Sequence, residues 1–417
     1  MVEDQIPYEL YKYELYKGKD YHIGPTLERI EKAVEYVGLK KPSYVSLLVG
    51  GTNGKGSTCA FAERILREHG YKTGWFVSPH LYDEKERWRL NGQKIEEERL
   101  KEYVKELKGV FERFNLTYFE ACTLIALKFF EDEKVDFAVF EVGMGGRWDA
   151  TKTCRPSACA ITNVQRDHVK WLGKSPEERA YEKLGIYVPG RPIVIGSPKE
   201  PLYPKALELC DLKDLIVAGM DFFAYGKVEG MQTYLENFSS DFFSINSAKL
   251  GLWGKWQIDN ASVAIALVSQ VIKLNEDKTR KALEETRWEG RMEILRKNPL
   301  LIIDGAHNPD GVKRVVHQLI KHGIKLTPVF TGLKDKEWRE SMTFLRKLSE
   351  KIYLVPINHH RGEELSELVQ HAQRLNFREV VPLSSARDVF GLKEDVLVLG
   401  SLYLLGEVKE CLEEKRE

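Results

Sequence analysis

The sequence offers little that would direct it to secretion, a membrane or nucleic acid. Cysteine is scarce: Cys59, Cys122, Cys154, Cys159, Cys210 and Cys411 are the only six in 417 residues, with no CxxC pair and no zinc-type array. That excludes a disulfide framework and leaves small, partly buried thiols in a reducing compartment. No run reaches the roughly 18 apolar residues of a spanning helix, and the opening MVEDQIPYELYKYELYKGKD lacks a signal peptide's apolar core. Net charge is missing too, with 63 Lys plus Arg against 63 Asp plus Glu. No global field therefore exists to hold a polyanion. The expectation is a cytoplasmic protein with neither nucleic acid nor membrane as its main partner.

What is present is globular material, 43% apolar and 30% charged, enough for two domains of ordinary size. Short apolar runs, glycine turns and amphipathic stretches recur, which predicts a parallel α/β sheet. Residues 43–49, 73–77, 136–142, 158–164 and 193–195 read as strands. Residues 96–114 read as a charged, exposed helix, 119–130 as a more apolar one, and 176–187 as helical. Residues 210–252 alternate and turn often, which suits a small antiparallel patch. Strands then restart at 300–303, 327–330, 352–355 and 396–399, interleaved with helices. The expectation is therefore a larger first domain, 1–288, with a mostly parallel sheet, followed by a smaller Rossmann-like α/β domain, 289–417.

Gly51, Thr52, Asn53, Gly54, Lys55, Gly56 and Ser57 lie between a predicted strand and a predicted helix, the context a phosphate-binding loop requires. Glycines let backbone N–H groups converge on phosphate oxygens; the helix N-terminus adds partial positive charge and Lys55 a full one. The loop departs from the strict Walker form. Val49 stands where its first glycine belongs, and Gly56 where its Ser or Thr belongs, so Ser57 is the candidate hydroxyl toward Mg²⁺.

Glu141 closes the buried-type run FAVFE, and ligands of open α/β sheets sit outside the carboxyl ends of strands. An acid there is more often a cap or an ion-pair partner, but beside a phosphate loop it points to metal. His168, in Asp167-His168, follows the next strand in the same topological position, which sets a metal role level with a structural one. Lys183 reads on its own as a solvated helix lysine. His359 and His360 read as a polar turn.

Taken together, GTNGKGST (51–58), SPHL (78–81), TYFEACT (117–123), EVGMGGRWDAT (141–151), DHVKWLG (167–173), EKLGI (182–186), GKWQIDNA (254–261), WEGRME (288–293), DGAHNPDG (304–311) and GSLYLLGEV (400–408) resemble the folylpolyglutamate synthase and dihydrofolate synthase branch of the Mur ligase superfamily. The resemblance implies a P-loop ATPase domain followed by a Rossmann-like domain. It implies an ATP-dependent ligase that adds L-glutamate to folates, and to dihydropteroate, through an acyl phosphate. The cofactors implied are ATP and two Mg²⁺, with a monovalent cation such as K⁺; the chain is expected to act as a monomer on small molecules. By the same resemblance Ser78, Glu141 and His168 hold Mg²⁺, and Lys183 is carbamylated to support a second ion. Gln257 and Asn260 lie on the nucleotide side, Arg291 contacts phosphate, Asp304 holds the ribose, and His307 orients reactants across the cleft. Two positions depart from the family pattern: Lys152 follows DAT in place of Asn, and Leu184 replaces a common alanine. Tyr8, Tyr11, Tyr13 and Tyr16 read as surface packing ahead of a cover for the pterin site.

Two other readings share some of these features. A peptidoglycan-precursor Mur enzyme would carry the same loop and sheets, but SPHL and GSLYLLGEV favour the folate branch. A regulatory nucleotide switch would need the loop alone, and the acid, His, Lys and Arg motifs gathered at strand ends speak against it.

Overall fold

The computed structural model describes residues 26–167, 169–199 and 201–414; His168 and the tyrosines at positions 8, 11, 13 and 16 lie outside them. The first lobe is built on eight strands, β1 (Val45–Gly50), β2 (Thr73–Phe76), β3 (Trp88–Leu90), β4 (Gln93–Lys94), β5 (Phe137–Glu141), β6 (Ala158–Ile161), β7 (Ile193–Ile195) and β8 (Leu215–Val217). Their order across the sheet is β4-β3-β2-β5-β1-β6-β7-β8. From β2 to β8 all pairings are parallel, and β3 and β4 add an antiparallel edge. β5 and β6 are buried along their whole length, as continuous apolar runs covered on both faces should be. One face packs on Phe61, Ile65 and Leu66 of the helix Lys55–Glu68, and the other on the helix Tyr118–Asp132.

Next come β9 (Phe222–Glu229), β10 (Gln232–Ser240) and β11 (Ser244–Leu250), a separate antiparallel sheet as the alternation predicts. The second lobe is a six-stranded sheet of β12 (Glu293–Lys297), β13 (Leu300–Ile303), β14 (Thr327–Phe330), β15 (Lys351–Leu354), β16 (Glu379–Pro382) and β17 (Val396–Leu399). Its order is β12-β13-β17-β14-β15-β16, parallel except for the edge strand β12.

Among the helix starts fixed by side-chain caps, two bear on the site. Ser175 caps the helix Pro176–Leu184 by accepting from the Glu178 N–H, while the Glu178 carboxylate accepts from the Ser175 N–H. This reciprocal box, with Pro176 in the first turn, sets where the helix bearing Lys183 begins. Asn308 caps Pro309–Lys321 in the same way, by accepting from Gly311 N–H at 2.8 Å.

Some elements differ from expectation. β6 stops at Ile161 rather than residue 164 because Thr162 and Asn163 turn their side chains onto the phosphate loop. The helix Glu97–Arg113 is not simply exposed; it buries Leu100, Tyr103, Val104, Leu107 and Phe111 along one face. All six cysteines are free, and five are buried. Among the described residues no helix is long and apolar enough to cross a membrane.

Candidate active site

The phosphate loop leaves β1 at Gly50 and enters its helix at Lys55. Gly51 and Gly54 hold φ of +136° and +89°, conformations side chains rarely adopt. A Cβ on Gly51 would run into Thr162, and one on Gly54 into the Asn260 amide. The loop is pinned by the end of β6: Thr52 N–H donates to Asn163 O, Asn53 N–H to Asn163 Oδ1, and Asn53 O accepts from both Thr162 Oγ1 and Asn163 Nδ2. Lys55 Nζ rests 3.3 Å from Gly51 O and from Thr52 O.

Glu141 ends β5 next to this loop and is buried, accepting a 3.4 Å bond from the Ser78 N–H. Burial raises its carboxyl to about 6, against the opposing pull of Lys55 and Arg291. Ser78 Oγ is buried beside it without a hydrogen-bond partner. A desolvated carboxylate next to an orphaned hydroxyl is an oxygen set suited to a hard divalent cation. Among the described residues no three His, Cys, Asp or Glu cluster as a complete cage. Mg²⁺ ordinarily sits in such a partial site, completing its shell with water and substrate phosphates.

Lys183 is not the solvated lysine its helix pattern suggests. It is 4% exposed, and Nζ donates to Gly51 O at 3.0 Å. Burial first, then the Lys55 charge, push its pKa down to about 7. The helix turns this residue inward because Ala180 and Leu184 on the same face belong to the core.

The second lobe supplies the opposite wall. Asp304, at the end of β13, accepts from Met292 N–H (2.8 Å) and Ala306 N–H (2.9 Å), so it shapes the turn that carries its neighbours; burial raises its pKa. Arg291 Nη1 donates to Gly290 O at 3.1 Å. His307 holds its ring through Nδ1 and Gly305 O, 2.8 Å apart, and Nε2 lies 3.8 Å from Asp167 Oδ2 of the first lobe. The loop residues 51–57, Ser78, Glu141, Lys183, Asn260, Arg291, Asp304 and His307 all line one cleft. Gln257 does not reach it: fully buried, it stands behind Asn260 and accepts from its Nδ2 at 2.8 Å. His359 stacks on Tyr403 with centroids 3.8 Å apart, in a packed turn.

Sequence reasoning passed over Trp288 and Arg314, which also line the cleft. The Trp288 indole nitrogen is buried and unpartnered, 2.7 Å from where a Cβ on Gly56 would sit. The ring fills the space a Walker Ser or Thr would need, which explains the glycine. The signal available was Trp288's place in WEGRME, beside Arg291.

A phosphate loop at the carboxyl end of an interior strand and a second α/β lobe closing over it is the arrangement of a nucleotide-dependent ligase. The Mur ligase middle domain matches residues 49–268 and the Mur ligase glutamate ligase domain residues 290–401. The chain belongs to the Mur ligase family, in its folylpolyglutamate synthase/dihydrofolate synthase branch. It is 30% identical to the dihydrofolate synthase/folylpolyglutamate synthase of Escherichia coli K12, covering 94% of this chain and 92% of that one. It is 31% identical to a probable bifunctional folylpolyglutamate synthase/dihydropteroate synthase of Haloferax volcanii over 95% of this chain, and it spans about half (49%) of that longer protein. E. coli FolC in complex with DHPP and ADP superposes with a TM-score of 0.88 at 27% identity, covering 99% of each chain. A bifunctional folylpolyglutamate synthase/dihydrofolate synthase from Yersinia pestis complexed with AMPPNP and Mn ion gives 0.87 at 27%, covering 98% of each.

Proposed function

We propose that the chain is an ATP-dependent carbon–nitrogen ligase that adds L-glutamate to folates and to dihydropteroate. The observation that carries this reading is the single cleft in which the phosphate loop, Glu141 and Lys183 of one lobe face Arg291, Asp304 and His307 of the other. The folate-type carboxylate attacks the γ-phosphorus of ATP, forming an acyl phosphate and releasing ADP. The amino group of glutamate then adds to the acyl carbon, and the tetrahedral intermediate collapses with loss of phosphate and a proton.

Backbone N–H groups of residues 51–57 and the Lys55 ammonium hold the ATP phosphates, and Arg291 balances charge on the transferring phosphoryl group. Asp304 holds the ribose, Asn260 the nucleotide side with Gln257 behind it, and His307 orients the reactants. Ser57, Ser78, Glu141 and His168 would hold Mg²⁺, which would supply charge neutralisation on the phosphates. Lys183 is set up for carbamylation: its neutral amine adds to the carbon of CO₂ and loses a proton to solvent, leaving a carbamate anion that would support a second ion. Closure of the two lobes keeps water from the acyl phosphate. Both walls come from one chain, which supports a monomer, and the lobes divide near residue 289. The workplace is the cytoplasm.

Phosphate release measured with ATP, glutamate and either dihydropteroate or tetrahydrofolate, in KCl and NaCl in parallel, tests the reading. Release that needs both a carboxylate and glutamate is expected. Hydrolysis indifferent to both would return the chain to the nucleotide-switch class.

A further inference from the structure

We propose that Gln165 and Arg314 are positioning residues that make the shape of the phosphate loop depend on docking of the second lobe; this rests on the ligase reading. Gln165 lies in the loop that follows β6. Its main chain is fixed to the first lobe, with N–H donating to Thr52 Oγ1 (3.0 Å) and C=O accepting from Arg179 Nε (3.1 Å). Its side-chain Oε1 accepts two bonds from opposite directions. One comes from Asn53 Nδ2 of the phosphate loop at 2.5 Å, the other from Arg314 Nη2 of the second lobe at 2.8 Å.

A second link closes the circuit. Asn308 Nδ2, also of the second lobe, donates to Asn53 Oδ1 at 3.1 Å. Both polar ends of the Asn53 amide are thus engaged, one directly by the second lobe and the other through an oxygen that the second lobe shares. The first lobe fixes the Asn53 main chain through Thr162 and Asn163, so what docking of the second lobe adds is the setting of the Asn53 amide.

The two residues beside Gln165 reach the same way. Arg166 pairs with Glu337 at 2.5 Å, and Asp167 pairs with Lys336 at 2.6 Å. The Arg166 pair is exposed and contributes little on its own. The Asp167–Lys336 pair is largely out of water, with side chains 10% and 8% exposed, and breaking one partner leaves a buried charge. Three consecutive residues therefore tie the end of β6 to the second lobe, and the first of them relays that docking to the loop that holds the phosphates. ATP is then shaped for transfer only when the lobe bearing Arg291 and His307 is seated, which limits loss of the acyl phosphate to water.

The test is a double-mutant cycle with Gln165→Leu, Arg314→Met and the pair, read by steady-state kinetics and by binding of a fluorescent ADP analogue. Each single variant should lower kcat about tenfold or more with KM for the folate-type substrate within about twofold, and the pair should be no slower than the slower single. Small-angle scattering should show parent protein compacting when a non-hydrolysable ATP analogue binds, and the variants compacting less. Gln165→Glu keeps the acceptor oxygen and should hold kcat within about threefold of the parent, separating relay from fold damage. Losses that multiply in the pair, or parent-like kcat in both singles, would overturn the proposal. A parent protein with no glutamate-dependent phosphate release would instead refute the ligase reading, and the binding and scattering arms would still judge the coupling.

Discussion

Lys183 donates to the carbonyl oxygen of Gly51 across 3.0 Å, although 132 residues separate them in the chain. The bond places a desolvated amine directly beneath the loop that cradles phosphate. An amine whose pKa has fallen to about 7 is largely neutral in mild alkali, and the neutral form is the one that reacts with CO₂. Lys183→Ala should lose activity by about a hundredfold or more, and acetate should restore part of it. A ¹³CO₂ NMR signal on the native protein is the direct probe. A bare ammonium at this position in active, nucleotide-bound enzyme would count against the carbamate.

The same residue carries a stability cost in CO₂-free buffer. Near pH 10.5 and above, folded and unfolded chains both hold the amine neutral. Between there and about 7 the unfolded chain takes up a proton that the folded chain refuses, so stability falls as pH falls; below about 7 the deficit stays constant. At about 1.4 kcal/mol per pH unit the full deficit is on the order of several kcal/mol. Lys183→Met should therefore melt higher than the parent at pH 7 while being inactive. The gap should narrow toward pH 10; a gap that widened would refute the account.

Glu141→Gln keeps size and hydrogen bonding but removes the charge. It should shift the Mg²⁺ concentration for half-maximal activity upward by about tenfold or more, and Ser78→Ala and His168→Ala should move it the same way. Because burial raises the Glu141 carboxyl to about 6, metal-free parent protein loses stability as pH rises from about 4.5 to 6 and stays lowered above that. Glu141→Gln should remove that step in the thermal melts.

Lys55→Ala should reduce turnover by about a thousandfold or more with the melting temperature nearly unchanged. Among the described residues its hydrogen bonds run to two loop carbonyls, each at 3.3 Å, and its charge favours ionised Glu141 while opposing ionised Lys183, so little net folding energy rests on it. A folded variant with most of its activity would remove the phosphate-loop assignment.

Restoring a Walker-type hydroxyl should harm this enzyme. In Gly56→Ser the new Cβ would sit 2.7 Å from Trp288 Nε1 and 3.4 Å from Glu141 Oε2. Activity should fall, and Trp288→Ala in the same chain should recover part of it. Full activity in the single variant would show that the indole yields easily.

The strands that were legible were those with long apolar runs between turn residues, such as β5 and β17. β3 and β4 have three and two residues and carry no period to read. The helix Trp256–Val268 is buried on nearly every side, so no polar stripe marks it. In the site, the phosphate loop and Glu141 declared themselves through chemistry placed at strand ends. Lys183 did not, because the fate of a helix lysine depends on what packs over it, and only family resemblance singled it out. Gln165 and Arg314 are 149 residues apart, and their meeting is set by how two sheets dock, which no local pattern records.

The 3.1 Å contact between Asn53 and Asn308 joins the phosphate loop directly to the second lobe. A small molecule lodged there need resemble neither nucleotide, folate nor glutamate to stop the reaction. Keeping those two amides apart by the thickness of one flat ring would deny the lobes their meeting without occupying the place of any substrate. Inhibition by such a wedge would be noncompetitive toward all three substrates, a pattern that substrate analogues cannot produce.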